Sequence, residues 1–311
     1  MFKDKIVKKI LITGHEGLVG RHLKHQIVRA GFVAVGLDIR ALDSKYKGDI
    51  IDRDRLKEAM KGCVGIVHLA AVSRVVWGEN DPDLCWNTNA EASKQLLELA
   101  LENECQPWVV LSSSREVYGE PEFLPVTESS PLHPVNVYGR AKLAMEEAGL
   151  KARKKGLQTA IVRLANVYGC TDDHVDRVLP AFCRAAVLGE TLRVDGLQHT
   201  FDFTHISDTV DGLMKVIAKL DCGEMNLPPI HLLPGLATTL QEAAQFAIQA
   251  SGSGSTIQEA PSRSYDVARF VGDAARTKEI LGWEAQVTPQ EGIIQLVNDF
   301  KLTLNNKKAV A

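Results

Sequence analysis

Thr13-Gly14-His15-Glu16-Gly17-Leu18-Val19-Gly20, preceded by the apolar run Ile10-Leu11-Ile12 and followed by an amphipathic segment at 20–30, decides the fold. A short strand that turns through three glycines into a helix is the opening unit of a dinucleotide-binding domain. Glycine leaves no side chain between the backbone and a pyrophosphate, whose charge the helix N-terminus stabilises. Gly14, Glu16, Gly17, Leu18, Val19 and Gly20 are the contacts expected there. Asp38 ends the next strand candidate, where a carboxylate accepts hydrogen bonds from both hydroxyls of an adenosine ribose. The same charge repels a 2′-phosphate, so the expected cofactor is NAD rather than NADP, a preference tempered by Arg40 two residues on. Asp49 and Ile50, after Gly48, are expected beside the adenine, although an aspartate there also reads as a solvated turn residue.

Short apolar runs and helical patterns alternate through the first half, the mark of a parallel sheet covered on both faces. Strands are expected at 9–13, 33–38, 65–69, 108–112 and 158–163, and helices at 20–30, 53–60, 87–103 and 137–155. From Cys170 the pattern is mixed, with helices at 178–188 and 240–250, the Pro228-Pro229 pair and a Ser251-Gly252-Ser253-Gly254-Ser255 loop. The expected fold is α/β: a Rossmann-type doubly wound parallel sheet with a smaller mixed α/β C-terminal lobe. The nucleotide domain spans 1–169, with 200–222 returning to it, and the substrate lobe comprises 170–199 and 223–311. Residues 305–311 are expected to fray.

The 311 residues, 45% hydrophobic and 24% charged, suffice for a nucleotide domain plus a smaller lobe. A formal charge of -3 gives no general attraction to nucleic acid, and no basic block interleaved with aromatics supplies a local one. Cys63, Cys85, Cys105, Cys170, Cys183 and Cys222 lack C-x-x-C spacing and read as small buried side chains in a reducing compartment. The charged stretch 1–9 leads into the first strand without an apolar leader, and no apolar run approaches ~18 residues. A cytoplasmic protein with neither a membrane nor a nucleic-acid partner is expected.

Chemistry enters at Tyr138-Gly139-Arg140-Ala141-Lys142. On a helix, positions i and i+4 share a face, so the Lys142 ammonium lies near the Tyr138 oxygen and favours its ionised form. Bringing a phenol from pKa ~10 towards neutrality takes about 3 units, or ~4 kcal/mol, which a neighbouring cation and a positively charged nicotinamide supply together. Tyr138 is then a base.

These residues stand in a longer series: the glycine turn at 13–20, His68-Leu69-Ala70-Ala71, Asp81-Pro82 with Asn89 beyond it, Ser112-Ser113-Ser114-Arg115-Glu116-Val117-Tyr118-Gly119, the Tyr138/Lys142 pair, Arg163-Leu164-Ala165-Asn166-Val167-Tyr168-Gly169 and Leu281-Gly282-Trp283. In order and spacing the series resembles the extended short-chain dehydrogenase/reductase family, specifically its NAD-dependent nucleotide-sugar epimerases and dehydratases, over almost the whole chain. The resemblance implies NAD as cofactor, a nucleoside-diphosphate sugar as substrate, and inversion of a hydroxyl-bearing carbon, C4 of a hexose, through a transient ketose. Tyr138 becomes the base, Lys142 the ligand of the nicotinamide ribose, and Ser114 the neighbour of the sugar hydroxyl. Cofactor contacts extend to Leu69, Ala70, Ala71, Asn89, Ser112 and Leu164, and substrate contacts to Ser73, Arg74, Asn166 and Arg263. Relatives dimerise through two long helices per subunit, here 87–103 and 137–155, which implies a homodimer. The apolar run Ala90, Leu96, Leu97, Leu99, Ala100 and Leu101 fits a partner and a monomer core alike.

Two positions depart from the family pattern. Dehydratases carry Asp-Glu after the Ser or Thr, whereas this chain has Arg115-Glu116, and arginine has no proton to donate near neutral pH. Glu116 remains a catalytic candidate, because related sugar-acid decarboxylases place a glutamate there; a solvated loop carboxylate is the plainer reading. A dehydratase or decarboxylase is therefore the alternative, and a non-catalytic sensor of NAD or nucleotide sugar a third, opposed by Ser114, Tyr138 and Lys142. Phe201 stands where relatives carry the arginine that grips the diphosphate, and Arg177 is expected to supply the lost charge with its paired donors. His15, His22 and His25 lack a third-ligand geometry and read as helix-surface residues rather than a metal site. Trp77, Trp86 and Trp283 read as packing residues.

Overall fold

The computed structural model describes residues 7–174, 176–262 and 267–310. The chain divides into two compact units, the first comprising Met1–Gly119, Pro131–Arg163 and Val210–Ile230, the second Glu120–Ser130, Leu164–Thr209 and His231–Ala311.

The first unit is built on β1 (Lys9–Thr13), β2 (Val33–Leu37), β3 (Cys63–His68), β4 (Trp108–Ser114) and β5 (Thr159–Leu164), in the sheet order β2-β1-β3-β4-β5. Strand β1 runs parallel to both β2 and β3, and β3 parallel to β4. The chain order thus reverses at β1, and doubly wound sheets place ligands beyond the carboxyl ends of strands at such a point. Ile10, Leu11 and Ile12 are fully buried, as a strand covered on both faces requires. The helices are α1 (Leu18–Arg29), α2 (Arg53–Ala59), α3 (Val75–Asn80), α4 (Pro82–Trp86), α5 (Ala92–Glu102) and α6 (Val137–Lys154).

Expected and observed elements differ most between 70 and 91. A run of six residues such as α3 is too short to show a helical period, and the Asp81 cap with Pro82 behind it starts a separate short helix. Asn87–Glu91, expected as the first turn of one long helix, is a π-helical turn ahead of α5. Trp283 is buried as expected, but Trp77 and Trp86 are 38% and 40% exposed and are not core residues. Cys63, Cys85 and Cys183 are buried, whereas Cys105 and Cys222 are exposed, against expectation. Ala90, Leu96, Leu97, Leu99 and Ala100 are all buried within this chain, so the monomer core consumes most of the run read as available to a partner.

Helix α6 is fixed to the sheet by a buried ion pair. Glu146 receives two hydrogen bonds from Arg163 on β5, at 2.9 and 2.7 Å, and a third from the Ser113 hydroxyl on β4. Both side chains are 3% exposed, and Arg163 also donates to the Tyr118 hydroxyl at 2.7 Å. Burial opposes the guanidinium charge, but the Glu146 hydrogen bonds and charge outweigh it and hold the Arg163 pKa above its ordinary value.

In the second unit, β6 (Asn166–Tyr168) lies parallel to β8 (Thr200–His205), which pairs antiparallel with β10 (Ala237–Thr239), while β7 (Leu192–Asp195) pairs with β11 (Ile257–Ala260). The remaining elements are α7 (Val178–Leu188), α8 (Ile206–Asp221, which carries the chain back to the first unit), β9 (Ile230–Leu232, the sixth strand of the main sheet, after β5), α9 (Leu240–Ser251), α10 (Ala275–Leu281) and α11 (Pro289–Val310). The lobe's core joins Phe182 of α7, Phe201 and Phe203 of β8, Ala244 of α9 and Leu296 of α11. Residues from 305, expected to fray, continue α11 as far as Val310. No helix among the described residues is long and apolar enough to cross a membrane.

Removing Arg163 strands the Glu146 carboxylate in the interior. Arg163→Ala is expected to cost roughly 3–5 kcal/mol in urea unfolding, and a loss below about 1 kcal/mol would show that the pair does not hold α6.

Candidate active site

The glycine turn is packed so closely that its residue types follow from space. Gly14 has φ +72°, and an added Cβ would lie 2.7 Å from the Ala70 nitrogen; at Gly20 it would lie 2.3 Å from the Gly14 oxygen. Gly17 caps α1 without a side-chain hydrogen bond, and the first turn, opened by Leu18 and Val19, holds no acidic residue. That leaves a backbone cradle with a positive helix end, which suits a diphosphate. Asp38 at the end of β2 is 6% exposed and accepts from the backbone nitrogens of Glu16 at 2.9 Å and Arg40 at 2.8 Å. A carboxylate has about four acceptor sites, so two of them remain for ribose hydroxyls. These residues fit a dinucleotide.

His15 corrects an expectation: it is 1% exposed, its ring lies against Gly36 and edge-on to Tyr46, and its Nε2 stands 3.0 Å from a Glu16 carboxylate oxygen. His22 bonds the Leu18 carbonyl and His25 is exposed. Among the described residues no group of three metal-ligating side chains gathers. Asp49 caps the Ile51 nitrogen in a tight turn, and Ile50 is buried in the same hydrophobic cluster as Leu37 and Leu56.

A relay that sequence reasoning missed runs beneath this site. Ser93 gives its hydroxyl proton to the Asn89 carbonyl at 2.7 Å, so its oxygen accepts from His68 Nε2 at 2.9 Å. His68 Nδ1 must then accept from the Thr13 hydroxyl at 2.7 Å, and the Thr13 oxygen in turn accepts from the Ala70 nitrogen at 3.3 Å. The chain of donors assigns one neutral tautomer to His68. Burial, aided by the Lys142 charge, pushes its pKa down to about 3. Asn89, in the π-helical turn, clasps Val72 through both its amide oxygen and nitrogen, at 2.8 and 3.0 Å. Leu69, Ala70 and Ala71, between β3 and Val72, are thereby held next to the glycine turn, with the Leu69 nitrogen on the Thr13 carbonyl at 3.1 Å. The signal was present in His68-Leu69-Ala70-Ala71, where a polar residue closes an otherwise apolar strand.

Tyr138 and Lys142 occupy the first two turns of α6, and the Lys142 nitrogen lies 5.9 Å from the centre of the Tyr138 ring. Lys142 is 3% exposed and donates to the Ser112 carbonyl at 2.8 Å. Burial lowers its pKa to about 8, against the opposing influence of Cys85 and Glu146. Ser114 ends β4 and accepts from the Glu116 nitrogen at 3.2 Å, capping the short turn Arg115–Val117. Glu116 is 5% exposed rather than a solvated loop carboxylate, and is bound by Arg115 at 2.8 Å and Asn136 at 2.8 Å. Ser73 is exposed, and Arg74 stacks over Trp77 at 5.6 Å.

The second unit carries the residues expected on the diphosphate. Asn166 opens β6, Leu164 is 9% exposed, and Arg177 is the N-cap residue of α7 with its guanidinium 3.3 Å from Asp173. Phe201 is core, edge-on to Phe203 and His199. Arg263 lies outside the described residues.

A Rossmann-type sheet, a glycine turn and a Tyr-x-x-x-Lys helix define the extended short-chain dehydrogenase/reductase class. Residues 10–227 match the model of the NAD dependent epimerase/dehydratase family, and the chain belongs to that family. It is therefore an enzyme, and NAD is its cofactor. The chain is 28% identical over 321 residues to UDP-glucose 4-epimerase of Streptomyces lividans, covering 94% of each. It is 29% identical over 318 residues to UDP-glucuronic acid decarboxylase 3 of Arabidopsis thaliana, covering 96% of this chain and 90% of the relative. Among solved structures it matches UDP-glucose 4-epimerase with UDP-glucose from Thermotoga maritima, with a TM-score of 0.87 at 25% identity over 95% of this chain and 99% of the other.

The relay makes stability depend on pH. Folded His68 stays neutral down to about pH 3, whereas the unfolded chain takes up a proton near 6.5, the ordinary value of an imidazole. The unfolded state thus binds more protons in this window, and stability falls as pH drops through it by up to about 1.4 kcal/mol per pH unit. Urea midpoints between pH 7 and 4 should fall more steeply for the parent than for His68→Asn; equal slopes would exclude a buried neutral imidazole.

Proposed function

We propose that the enzyme is a nucleotide-sugar epimerase that inverts C4 of a nucleoside-diphosphate hexose through a retained ketose. The observation that carries this reading is the fixed Tyr138/Lys142 pair, with Lys142 bonded to the Ser112 carbonyl at 2.8 Å at the carboxyl end of β4. Tyr138 takes the proton of the C4 hydroxyl as general base and returns it to the new hydroxyl. Lys142 keeps a positive charge beside the phenol oxygen while that proton is away, and Ser114 orients the sugar hydroxyl by hydrogen bonding. Bound NAD supplies the hydride acceptor and donor. The Gly14–Gly20 turn and Asp38 hold the dinucleotide, and Lys142 holds its nicotinamide ribose. Asn166 and Arg177, with Arg263, address the diphosphate; the guanidinium of Arg177 replaces the charge absent at Phe201.

The decarboxylase reading has its own support in the 29% identity to the UDP-glucuronic acid decarboxylase and in a glutamate at 116. The epimerase reading is supported by comparable identity to UDP-glucose 4-epimerases and by the engagement of both Glu116 oxygens inside the protein. We further assign the enzyme to the cytoplasm, where free thiols persist. We also propose a homodimer through α5 and α6, for which the outward Leu150, 39% exposed, is available. Sedimentation as a 34.0 kDa species at micromolar concentration would exclude the dimer.

Incubation with UDP-, GDP- and dTDP-sugars separates the readings: an inverted hydroxyl supports the epimerase, and loss of carbon dioxide or water supports the alternative. Tyr138→Phe should lower kcat by roughly 10²–10⁴-fold, and turnover at the parent rate would sink the assignment. Arg177→Ala should weaken nucleotide-sugar binding about tenfold, a change of ~1.4 kcal/mol, while NAD binding holds; unchanged sugar affinity would remove Arg177 from the site.

A further inference from the structure

Glu116 sits where a lyase of this fold would want a proton donor, yet its carboxylate is occupied on both sides. One oxygen lies 2.8 Å from a terminal nitrogen of Arg115, and the other accepts from the Asn136 side-chain nitrogen at 2.8 Å. Arg115, Glu116 and Asn136 are 9%, 5% and 1% exposed. Two acceptor oxygens facing two donors is the arrangement of an ionised carboxylate.

Asn136 is the N-cap residue of α6, and its side-chain oxygen Oδ1 accepts from the Gly139 nitrogen at 2.8 Å. The cap of the helix that carries Tyr138 and Lys142 is thus itself oriented by Glu116. Space enforces the same contact: a Cβ on Gly139 would stand 2.5 Å from the Glu116 carbonyl oxygen, so the first turn of α6 is pressed against residue 116 backbone to backbone. A second carboxylate, Glu79, accepts from the Val137 nitrogen at 2.9 Å and places another acceptor at the positive end of the helix. Arg115 offsets the charge of Glu116.

We propose that Glu116 is a positioning residue that aims Tyr138 through the Asn136 cap, and that its pairing with Arg115 is what restricts this enzyme to inversion by leaving no proton donor for elimination or decarboxylation. The proposal deepens the epimerase reading and rests on it for its second half; the first half, the positioning of Tyr138, stands on the geometry alone.

The test compares the parent with Glu116→Gln and Glu116→Ala in two measurements. Glutamine keeps an oxygen for Asn136, whereas alanine does not. With the sugar that the parent inverts, Glu116→Gln should lose about threefold in kcat and Glu116→Ala roughly thirtyfold, both at nearly unchanged KM, the span expected when a helix cap is kept or lost. Hydrogen exchange, read without substrate, should show the Gly139 amide protected in the parent and in Glu116→Gln and exposed in Glu116→Ala. Equal losses of roughly a hundredfold or more in both variants, with Gly139 protected in both, would make Glu116 a proton-transfer group and overturn the proposal. Release of carbon dioxide or water by the parent, abolished in Glu116→Gln, would overturn it as well. If the parent turned over none of the sugars, the epimerase reading would fail, while the exchange contrast would still decide whether Glu116 holds the cap.

Discussion

An ammonium group buried inside a protein is expensive, and the placement of Lys142 at the end of β4 is the constraint on which the rest of the site depends. Its nitrogen is satisfied by the Ser112 carbonyl, but a single carbonyl does not replace water, and burial lowers its pKa to about 8. The charge is tolerated because α6 cannot move away. Tyr138, Lys142 and Glu146 follow one another at four-residue spacing on a single face of the helix, and Glu146 is locked to Ser113 and Arg163 on the two strands below. The far end is capped by Asn136, itself held by Glu116. The turns that carry the proposed base Tyr138 are thus fixed by a buried cap at the N-terminus of α6 and a buried ion pair midway along it.

The cofactor side is ordered by the same kind of directional bonding. From the Ala70 nitrogen through Thr13, His68 and Ser93 to the Asn89 carbonyl, each group donates once in one direction. A buried chain of this kind specifies one arrangement, because reversing any member leaves a donor facing a donor. It ties the glycine turn, the segment after β3 and the π-helical turn before α5 into one unit, while the Lys142 charge nearby helps to keep His68 neutral. The glycine turn and α6 are therefore coupled electrostatically.

The parts legible in the sequence were those set by local rules. The glycine turn, Asp38 at the strand end and the Tyr-x-x-x-Lys spacing each declare a geometry within a few residues, and β1 and α7 appear with the bounds that periodicity implied. What escaped depends on partners distant in sequence. Nothing near Glu146 announces Arg163, seventeen positions on in the chain, and nothing near Glu116 announces Asn136, twenty positions on. His15 read as a surface histidine because only the fold brings Gly36 and Tyr46 against it. Asp202, next to Phe201, shows the same limit: its neighbours in sequence are apolar, yet it binds the Gly235 and Gly272 nitrogens across the lobe, and burial pushes its pKa up to about 7.

The most direct test of this account is the pH dependence of kcat/KM at saturating NAD, measured for the parent and for Lys142→Arg. Loss of the Lys142 proton removes the charge that supports the proposed Tyr138 base, so the parent should decline on the alkaline side with an apparent pKa near the value of about 8 set by burial. Arginine stays charged, and in the variant, whatever its absolute rate, that decline should disappear up to pH ~10. A parent profile that stays flat through this range, or an alkaline limb that persists unmoved in Lys142→Arg, would contradict the claim that a buried ammonium governs the base.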